Sequence, residues 1–415
     1  MVDTKLEDES SERYRNVNPR KQIGVGMLGY AFMGKAHSNA FLQFPYIFPD
    51  APVPKLRAIA GRSESSVKEA ADRLGYEKWY TSWRDLVHDD QVEVVDNGLP
   101  NDLHEEPTIE AVELGKDIIC EKPLGRNAKE SERMYRAVEK AGVKHMVGYN
   151  YRFLPAIRFA RQLIQEGKIG KIIEFRVAYL QDWIMDPDFP LVWRLQKSFA
   201  GSGVLGDLGT HVIDLARFLI GDIASTVGMT KTLIAERPVL DDSHKTEGLT
   251  KLSKAEGSPE NKKMGKVDVD DVFIALLKFK SGVIGSVEAS RFCAGRKNFQ
   301  RIEIHGLEGS LSFNLERLNE LDFFSRQDDQ GEQGFRTISV TDPVHPYYKN
   351  WWPPGHVLGW EHAMVNEMYH YFTALAEDKP VDPYGATFYD GMMADRVTDA
   401  ISRSNVSGRW EDASS

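Results

Sequence analysis

The stretch Gly26–His37, GMLGYAFMGKAH, decides how the first third of this chain is read. A dinucleotide-binding turn spaces its glycines G-x-G-x-x-G between a buried strand and a helix, because they permit a tight turn, close approach of the backbone to a pyrophosphate and close helix packing. Gly29 and Gly34 hold the outer positions, and Ala31 stands at the middle one. Ile23, Val25, Met27 and Leu28 form an apolar strand before the turn, and a helical pattern opens after it. A methyl group at 31 moves a pyrophosphate outward slightly but leaves the backbone donors and the helix dipole in place. Alone, the glycine pair is equally compatible with a plain strand-to-helix junction in a core.

The rest of the first third repeats that strand-helix order. KQIGVGML, KLRAIA, VEVVD, DIIC and KHMVG read as strands, and Glu64–Leu74, Glu105–Leu114 and Ala128–Ala141 as amphipathic helices between them. This predicts a doubly wound parallel sheet, a Rossmann-type α/β fold, whose ligands lie at one edge of the strands. After about residue 149 the rhythm changes to a helix at Leu154–Glu166, a long extended run KIIEFRVAYLQDW and further β segments, with Ser281-Gly282 as a two-residue hairpin turn. The expected second unit is α+β, with a large, mostly antiparallel open sheet. The domain boundaries expected are a disordered polar tail at 1–20, a nucleotide-binding domain at 21–148 and an α+β substrate and oligomerisation domain at 149–358. C-terminal helices at 359–415 are expected to pack back on the first domain. The polar segment between Glu236 and Lys266 reads as a surface loop.

Composition limits the partners. The chain has 415 residues, 41% hydrophobic and 27% charged, with a formal net charge of -10. That charge argues against nucleic acid, whose affinity rests on Lys and Arg contacts to phosphate. No apolar run is long enough to span a membrane. The two cysteines, Cys120 and Cys293, are far apart in sequence. They form neither a disulfide framework nor a cysteine zinc site, so a reducing cytoplasm is expected.

The second strand ends in Gly61, Arg62 and Ser63. NAD readers place Asp or Glu here for the ribose 2′-OH, whereas a guanidinium and a hydroxyl suit a 2′-phosphate, so NADP is favoured over NAD. Two further segments bring chemistry. IICEKPLG sets Glu121, Lys122 and Pro123 at a strand end, and GSGVLGDLGTHVIDLARFLIG puts Asp207, His211 and Asp214 at i, i+4 and i+7 beside an apolar stripe. Gly206 and Gly209 leave that helix bare, as if something approaches it closely.

Taken with GYAFMGKAH, LPNDLHEE and GYNYRFLP, these segments resemble the glucose–fructose oxidoreductase/inositol dehydrogenase family, Gfo/Idh/MocA, over about residues 21–220. YLQDW, WRLQKSFAGSG, GRKN and WWPPGHVLGWEH are most similar to members acting on sugars, anhydrosugars or inositols. The resemblance implies an NAD(P)-dependent dehydrogenase that oxidises a secondary hydroxyl, and a homo-oligomer, dimer or tetramer, formed through an exposed sheet face. It maps the catalytic Lys, Asp and His onto Lys122, Asp207 and His211. His211 suits the general base, Lys122 stabilises the developing alkoxide, and Asp207 orients the substrate and favours the imidazolium. The expected cofactor pocket comprises Gly29, Ala31, Phe32, Met33, Gly34, Gly61, Arg62, Ser63, Pro100, Asn101, His104, Glu121, Lys122 and Asn150. The expected substrate pocket adds Tyr179, Gln181, Asp182, Trp183, Trp193 and Arg194 to the catalytic three. Flat aromatic faces beside hydrogen-bonding groups suit a polyol ring, although the same aromatics also fit a core cluster with a polar rim. His356, Glu361 and His362 are candidates for a lid. Asp207 and His211 have helical metal-ligand spacing without a third ligand, so no metal is expected. A nicotinamide-assisted glycoside hydrolase and a non-catalytic nucleotide-binding regulator are the other functions this scaffold suits; retention of all three catalytic residues argues against the regulator, and rapid turnover of free cofactor separates dehydrogenase from hydrolase.

Overall fold

The computed structural model describes residues 20–239 and 263–414. All but the last residue of the N-terminal tail, and most of the 237–266 insertion, lie outside the described residues. The first layer is a six-stranded parallel sheet built from β1 (Gln22–Leu28), β2 (Val53–Ala60), β3 (Lys78–Tyr80), β4 (Val94–Asn97), β5 (Asp117–Cys120) and β6 (His145–Val147), in the order β3-β2-β1-β4-β5-β6. That order is the doubly wound dinucleotide-binding topology. Its helices are α1 (Phe32–Ile47), α2 (Glu64–Leu74), α3 (Trp83–Val87), α4 (Glu105–Glu113) and α5 (Ala128–Ala141). Two elements are absent from the sequence reading, β3 and α3. At three and five residues, both are too short to show a period.

The second layer opens with α6 (Pro155–Gln165), which starts on a proline that needs no hydrogen-bond partner there. β7 (Ile172–Leu180), the short helix α7 (Lys197–Ala200), α8 (Thr210–Ile220) and β8 (Ile223–Lys231) follow. Next come β9 (Glu236–Pro238), β10 (Met264–Lys266), β11 (Val272–Phe279), β12 (Ile284–Ser290), β13 (Phe299–Gly306), β14 (Gly309–Asn314), β15 (Glu320–Ser325) and β16 (Arg336–Ser339). Apart from β9 and β10, these strands with β17 (Glu411–Asp412) make a nine-stranded sheet, β16-β15-β14-β13-β7-β12-β11-β8-β17, antiparallel except for the β7–β12 pair. The hairpin between β11 and β12 differs in detail from the expected one. Phe279 N donates to Val283 O, so three residues close the turn, and Gly282 takes the left-handed position (φ +87°) that the third residue of such a turn requires.

β9 and β10 pair with each other rather than forming an open loop, which corrects the reading of the 237–266 segment at its described ends. The reason is Arg237. Its fully buried guanidinium donates to the carbonyls of Ile184, Asp186 and Phe189, pinning the segment to the preceding loop.

α8 is buried along nearly its whole circumference. Val212, Leu215 and Ala216 share a core with Phe175, Val177, Phe273 and Leu277 of the large sheet and with the parallel sheet's Ile118 and Val147. α9 (Glu361–Ala376) and α10 (Phe388–Ser407) then return to the first layer. Phe372 of α9 packs on Phe41 and Phe44 of α1, with ring centroids 5.7 and 5.3 Å away, and all three are buried. Each such ring contributes about 1.5–3 kcal/mol of transfer free energy, enough to hold α9 in place. α10 begins in a capping box of Thr387 and Asp390 and ends at Gly408. Among the described residues no helix is long and apolar enough to cross a membrane.

Candidate active site

Because its strands are parallel, the small sheet delivers its loops to one edge: Gly29 after β1, Gly61 after β2, Pro100 and Asn101 after β4, Glu121 and Lys122 after β5, Asn150 after β6. At the first of these Gly29 has φ +96°, which favours glycine, and a Cβ on Gly34 would lie 2.2 Å from the Gly29 carbonyl oxygen. Ala31 has φ -74°, a conformation any residue adopts. The outer glycines are therefore required by geometry and the middle one is not. Ala31 is the N-cap of α1 and no side chain caps that helix, so its first amides and its dipole face outward as an anion site.

Below this turn lies a buried ionic triad. His37 Nδ1 is 2.7 Å from Asp96 Oδ2, and Nε2 is 3.0 Å from Glu121 Oε1. Burial works against its charge, yet the two carboxylates outweigh that and hold the imidazole well above its ordinary pKa. The same pairing holds Glu121 below the usual carboxylate range despite burial. The triad ties α1, β4 and the Glu121–Lys122 segment into one unit.

Lys122 reaches from this edge to the second layer. Its Nζ donates to the Asp207 carbonyl (3.0 Å) and to Asp207 Oδ1 (3.3 Å). Asp207 sits in a π-turn, Leu205–Gly209, that leads into α8. Such turns leave a carbonyl without its usual partner and recur at functional sites. Asp270 anchors the start of the turn by accepting from Gly203 N and Leu205 N, 2.8 Å each. The other Asp207 oxygen, Oδ2, lies 3.2 Å from the Arg291 guanidinium. Burial opposes ionisation of Asp207, but Lys122, Arg291 and Arg194 hold its carboxyl far below the usual range.

His211 follows one turn later, its ring centroid 4.8 Å from that of Tyr151 and about equally distant from Tyr149 (6.0 Å) and Tyr179 (6.1 Å). Nδ1 is buried and has no hydrogen-bond partner among the described residues. Burial and the Lys122 charge push the imidazole well below its ordinary pKa, against a smaller opposing pull from Asp207. His211 is thus a neutral imidazole, able to accept a proton, with an ammonium and a carboxylate beside it. Tyr151 and Tyr179 share a hydrogen bond of 2.8 Å, and Asn298 Oδ1 accepts from Tyr179 and Gln181 at 2.8 Å each. Aromatic rings and neutral hydrogen-bonding groups thus surround His211, a combination that suits a hydroxylated ring.

Two family models divide this chain between them: "Oxidoreductase family, NAD-binding Rossmann fold" over residues 23–149, and "GFO/IDH/MocA C-terminal domain" over 157–312. The chain belongs to the GFO/IDH/MocA oxidoreductase family. It is 43% identical to levoglucosan dehydrogenase of Pseudarthrobacter phenanthrenivorans over 394 residues, 94% of this chain and 98% of that one. A solved levoglucosan dehydrogenase in complex with NADH and levoglucosan superposes with a TM-score of 0.87 at 42% identity, covering 95% of this chain and all of that one. Myo-inositol 2-dehydrogenase of Thermotoga maritima is 27% identical over 76% of this chain and 81% of its own length.

In this GFO/IDH/MocA chain the sequence-derived candidates separate into groups. Lys122, Asp207 and His211 come together, and Arg194 lies within electrostatic reach of Asp207. Tyr179, beside the His211 ring, and Gln181 are joined through Asn298. Asp214, on the same sequence face as His211, is instead locked in a buried bidentate pair with Arg152. Asp182 is held by Lys297 Nζ (2.9 Å) and Gly295 N (3.0 Å), and Trp183 packs edge-on to Phe189 and near Arg291. Trp193 carries the Arg194 guanidinium over its ring.

Of the cofactor candidates, Asn150 keeps a buried Nδ2 without a partner among the described residues. Asn101 Nδ2 donates to Ala200 O, and buried His104 sits between the carbonyls of Pro123 and Leu99, so both brace loops. Met33 packs at the edge of the core and Phe32 stacks on Trp360. A Cβ on Gly61 would lie 2.0 Å from the Tyr30 ring, which explains why no acidic side chain stands there. Of the lid candidates, His362 packs against Trp351, His356 bonds the Pro353 carbonyl, and Glu361 is exposed.

Sequence reasoning missed His37, Asp96, Arg291, Asn298 and Trp360. The motif GYAFMGKAH contains His37, and GRKN contains Asn298, but nothing local marks their partners. The bareness of Gly206 and Gly209 also has a structural cause: a Cβ on Gly209 would lie 2.9 Å from Phe273, and one on Gly206 would lie 2.7 Å from Ser202 Oγ. The helix is bare to admit the large sheet.

Proposed function

We propose that this protein is a nicotinamide-dependent dehydrogenase that oxidises a secondary hydroxyl of an anhydrosugar or related pyranose, with levoglucosan the first substrate to test. The observation that carries this reading is the Lys122–Asp207–His211 cluster, set where the parallel-sheet edge meets the large sheet. The chain's near full-length likeness to a levoglucosan dehydrogenase supports the substrate class. The uncapped α1 terminus suits the pyrophosphate, and the unpartnered Asn150 amide supplies a further donor at the same edge. When bound, the nicotinamide takes up the hydride that leaves the carbinol carbon. His211, neutral in its buried setting, accepts the hydroxyl proton. Lys122 donates to the oxygen and stabilises its growing negative charge, while Asp207 keeps the ammonium in place.

The sequence favoured NADP on the strength of Arg62 and Ser63. In the fold the Ser63 hydroxyl caps α2 by accepting from Ser66 N, and Asp102 lies within electrostatic reach of Arg62. Ser63 is thus engaged while Arg62 stays exposed, and the solved relative holds NADH. We therefore take NAD as the working cofactor. The domain division at 148 and 358 remains our reading, supported by the separate sheets and by a family-model boundary near 150. A cytoplasmic location remains our reading of the low cysteine content, two in 415 residues. The exposed outer face of the large sheet is proposed as the contact between copies.

Reduction of NAD and NADP, followed by nicotinamide absorbance over levoglucosan, glucose and myo-inositol, tests the proposal. Turnover with levoglucosan is expected, faster with NAD. Lys122→Ala and His211→Ala should each lower kcat about 10²–10⁴-fold with dinucleotide affinity retained. Equal loss of binding and rate would remove those two roles.

A further inference from the structure

A second charged cavity lies behind α8, on the side away from the catalytic cluster. It is ≈ 270 Å³ and is lined by residues of the turn before α6, of α6 and α8, of the 382–387 segment and of the start of α10, among them Arg152, Arg161, Arg217, Asp382 and Asp390. Two of its three arginines are fully matched. Arg152 pairs with Asp214 at 2.6 Å and approaches Asp390 (3.5 Å), while Arg217 pairs with Asp390 (2.9 Å) and Asp222 (3.0 Å).

Arg161 is different. One of its terminal nitrogens donates to the Pro383 carbonyl (2.7 Å), and the guanidinium lies over the Phe218 and Tyr384 rings, 4.0 and 5.5 Å from their centroids. Among the described residues no carboxylate forms an ion pair with it. Its strongest charged neighbours are Arg152 and Arg158, which add to partial burial in pushing its pKa down to about 10. A guanidinium destabilised by like charges is relieved by an anion. The N-terminal end of the 20-residue helix α10 faces this space through Thr387, adding its dipole.

We propose that this cavity binds a small multivalent oxyanion, a phosphate or dicarboxylate group, with Arg161 as its principal ligand. Planar guanidiniums meet such groups with paired, charge-assisted hydrogen bonds. Asp390 does not bar the ligand, because its charge is already shared by two arginines and its oxygens cap α10. Asp382, also in the lining, opposes it. Through Arg152 the site touches Asp214, three residues beyond His211 on α8, so an occupant bears on the helix that carries the base.

Calorimetric titration of the full chain with inorganic phosphate and with malonate, at ionic strength held constant with chloride, tests this. Saturable binding of either anion is expected. Binding of phosphate alone assigns a phosphate group, and binding of malonate alone assigns a carboxylate pair. Arg161→Gln should weaken the interaction about tenfold or more, Arg161→Lys should restore part of it, and Asp382→Asn should tighten it. Phosphate taken up at the α1 terminus is indifferent to these changes, so the signal that follows Arg161 is the one that counts. No saturable binding of either anion, or equal binding by wild type and Arg161→Gln, overturns the proposal. The measurement involves neither sugar nor nicotinamide, so it stands or falls apart from the dehydrogenase reading.

Discussion

His211 and Lys122, the proposed base and alkoxide donor, show how burial and a neighbouring charge change an ordinary side chain. Free histidine is half protonated near pH 6.5. Behind Tyr149, Tyr151 and Tyr179 and beside an ammonium, His211 gives up its proton well below that. Activity that needs the neutral base is therefore present above this depressed pKa and lost as pH falls through it. The acid limb of kcat/KM for alcohol oxidation is expected well below pH 6.5. In the titration of the His211 ring by NMR, Lys122→Met should raise the midpoint, because it removes a charge that disfavours the imidazolium; a fall or no change would refute the coupling. Lys122 and His211 were both identifiable in sequence, from EKP at a strand end and from the D-x-x-x-H spacing. Arg291, which shares Asp207 with Lys122, was not, because it follows β12 and joins the site only when the large sheet forms.

At the scale of elements, glycines record where backbones meet. In α1 the requirement falls on Gly34, whose added methyl would strike the Gly29 carbonyl at 2.2 Å, and not on residue 31. Gly34→Ala should lower stability by about 1–3 kcal/mol and weaken NAD binding, whereas Ala31→Gly should leave the Kd within about twofold. Denaturant midpoints and dinucleotide fluorescence titrations check both. Much at this scale was legible. The bounds of α2 and α5 match their amphipathic stretches, and β5 matches DIIC, since each is a regular period closed by a cap or a charged residue. The π-turn at Leu205–Gly209 was not legible, because the sequence there carries a helical period and only Asp270, over sixty residues away, holds the wider turn open.

For the whole molecule, the large sheet has one face packed on α8 and the other bare. Met229 and Ile274 are cross-strand neighbours on that outer face, and with Leu276 and Ile284 each is at least half exposed. An apolar stripe of this kind on a sheet calls for a cover, and a second copy of the chain presents the same surface. Light scattering should find a dimer or tetramer, and Ile274→Glu with Leu276→Lys should yield monomers; an unchanged mass would remove this face as the contact. The sequence by itself determined the alternation of strand and helix, the phosphate-binding turn and the residue types of the candidate site, because these depend on spacing along one segment. Tertiary structure alone decided that His37 bridges Asp96 and Glu121, that Asp214 serves Arg152 rather than the Lys122–Asp207–His211 cluster, and that Arg161 has no ion-pair partner among the described residues. Those outcomes rest on charges brought together from distant parts of the chain into a medium that screens them poorly, and no local pattern records which of them will meet.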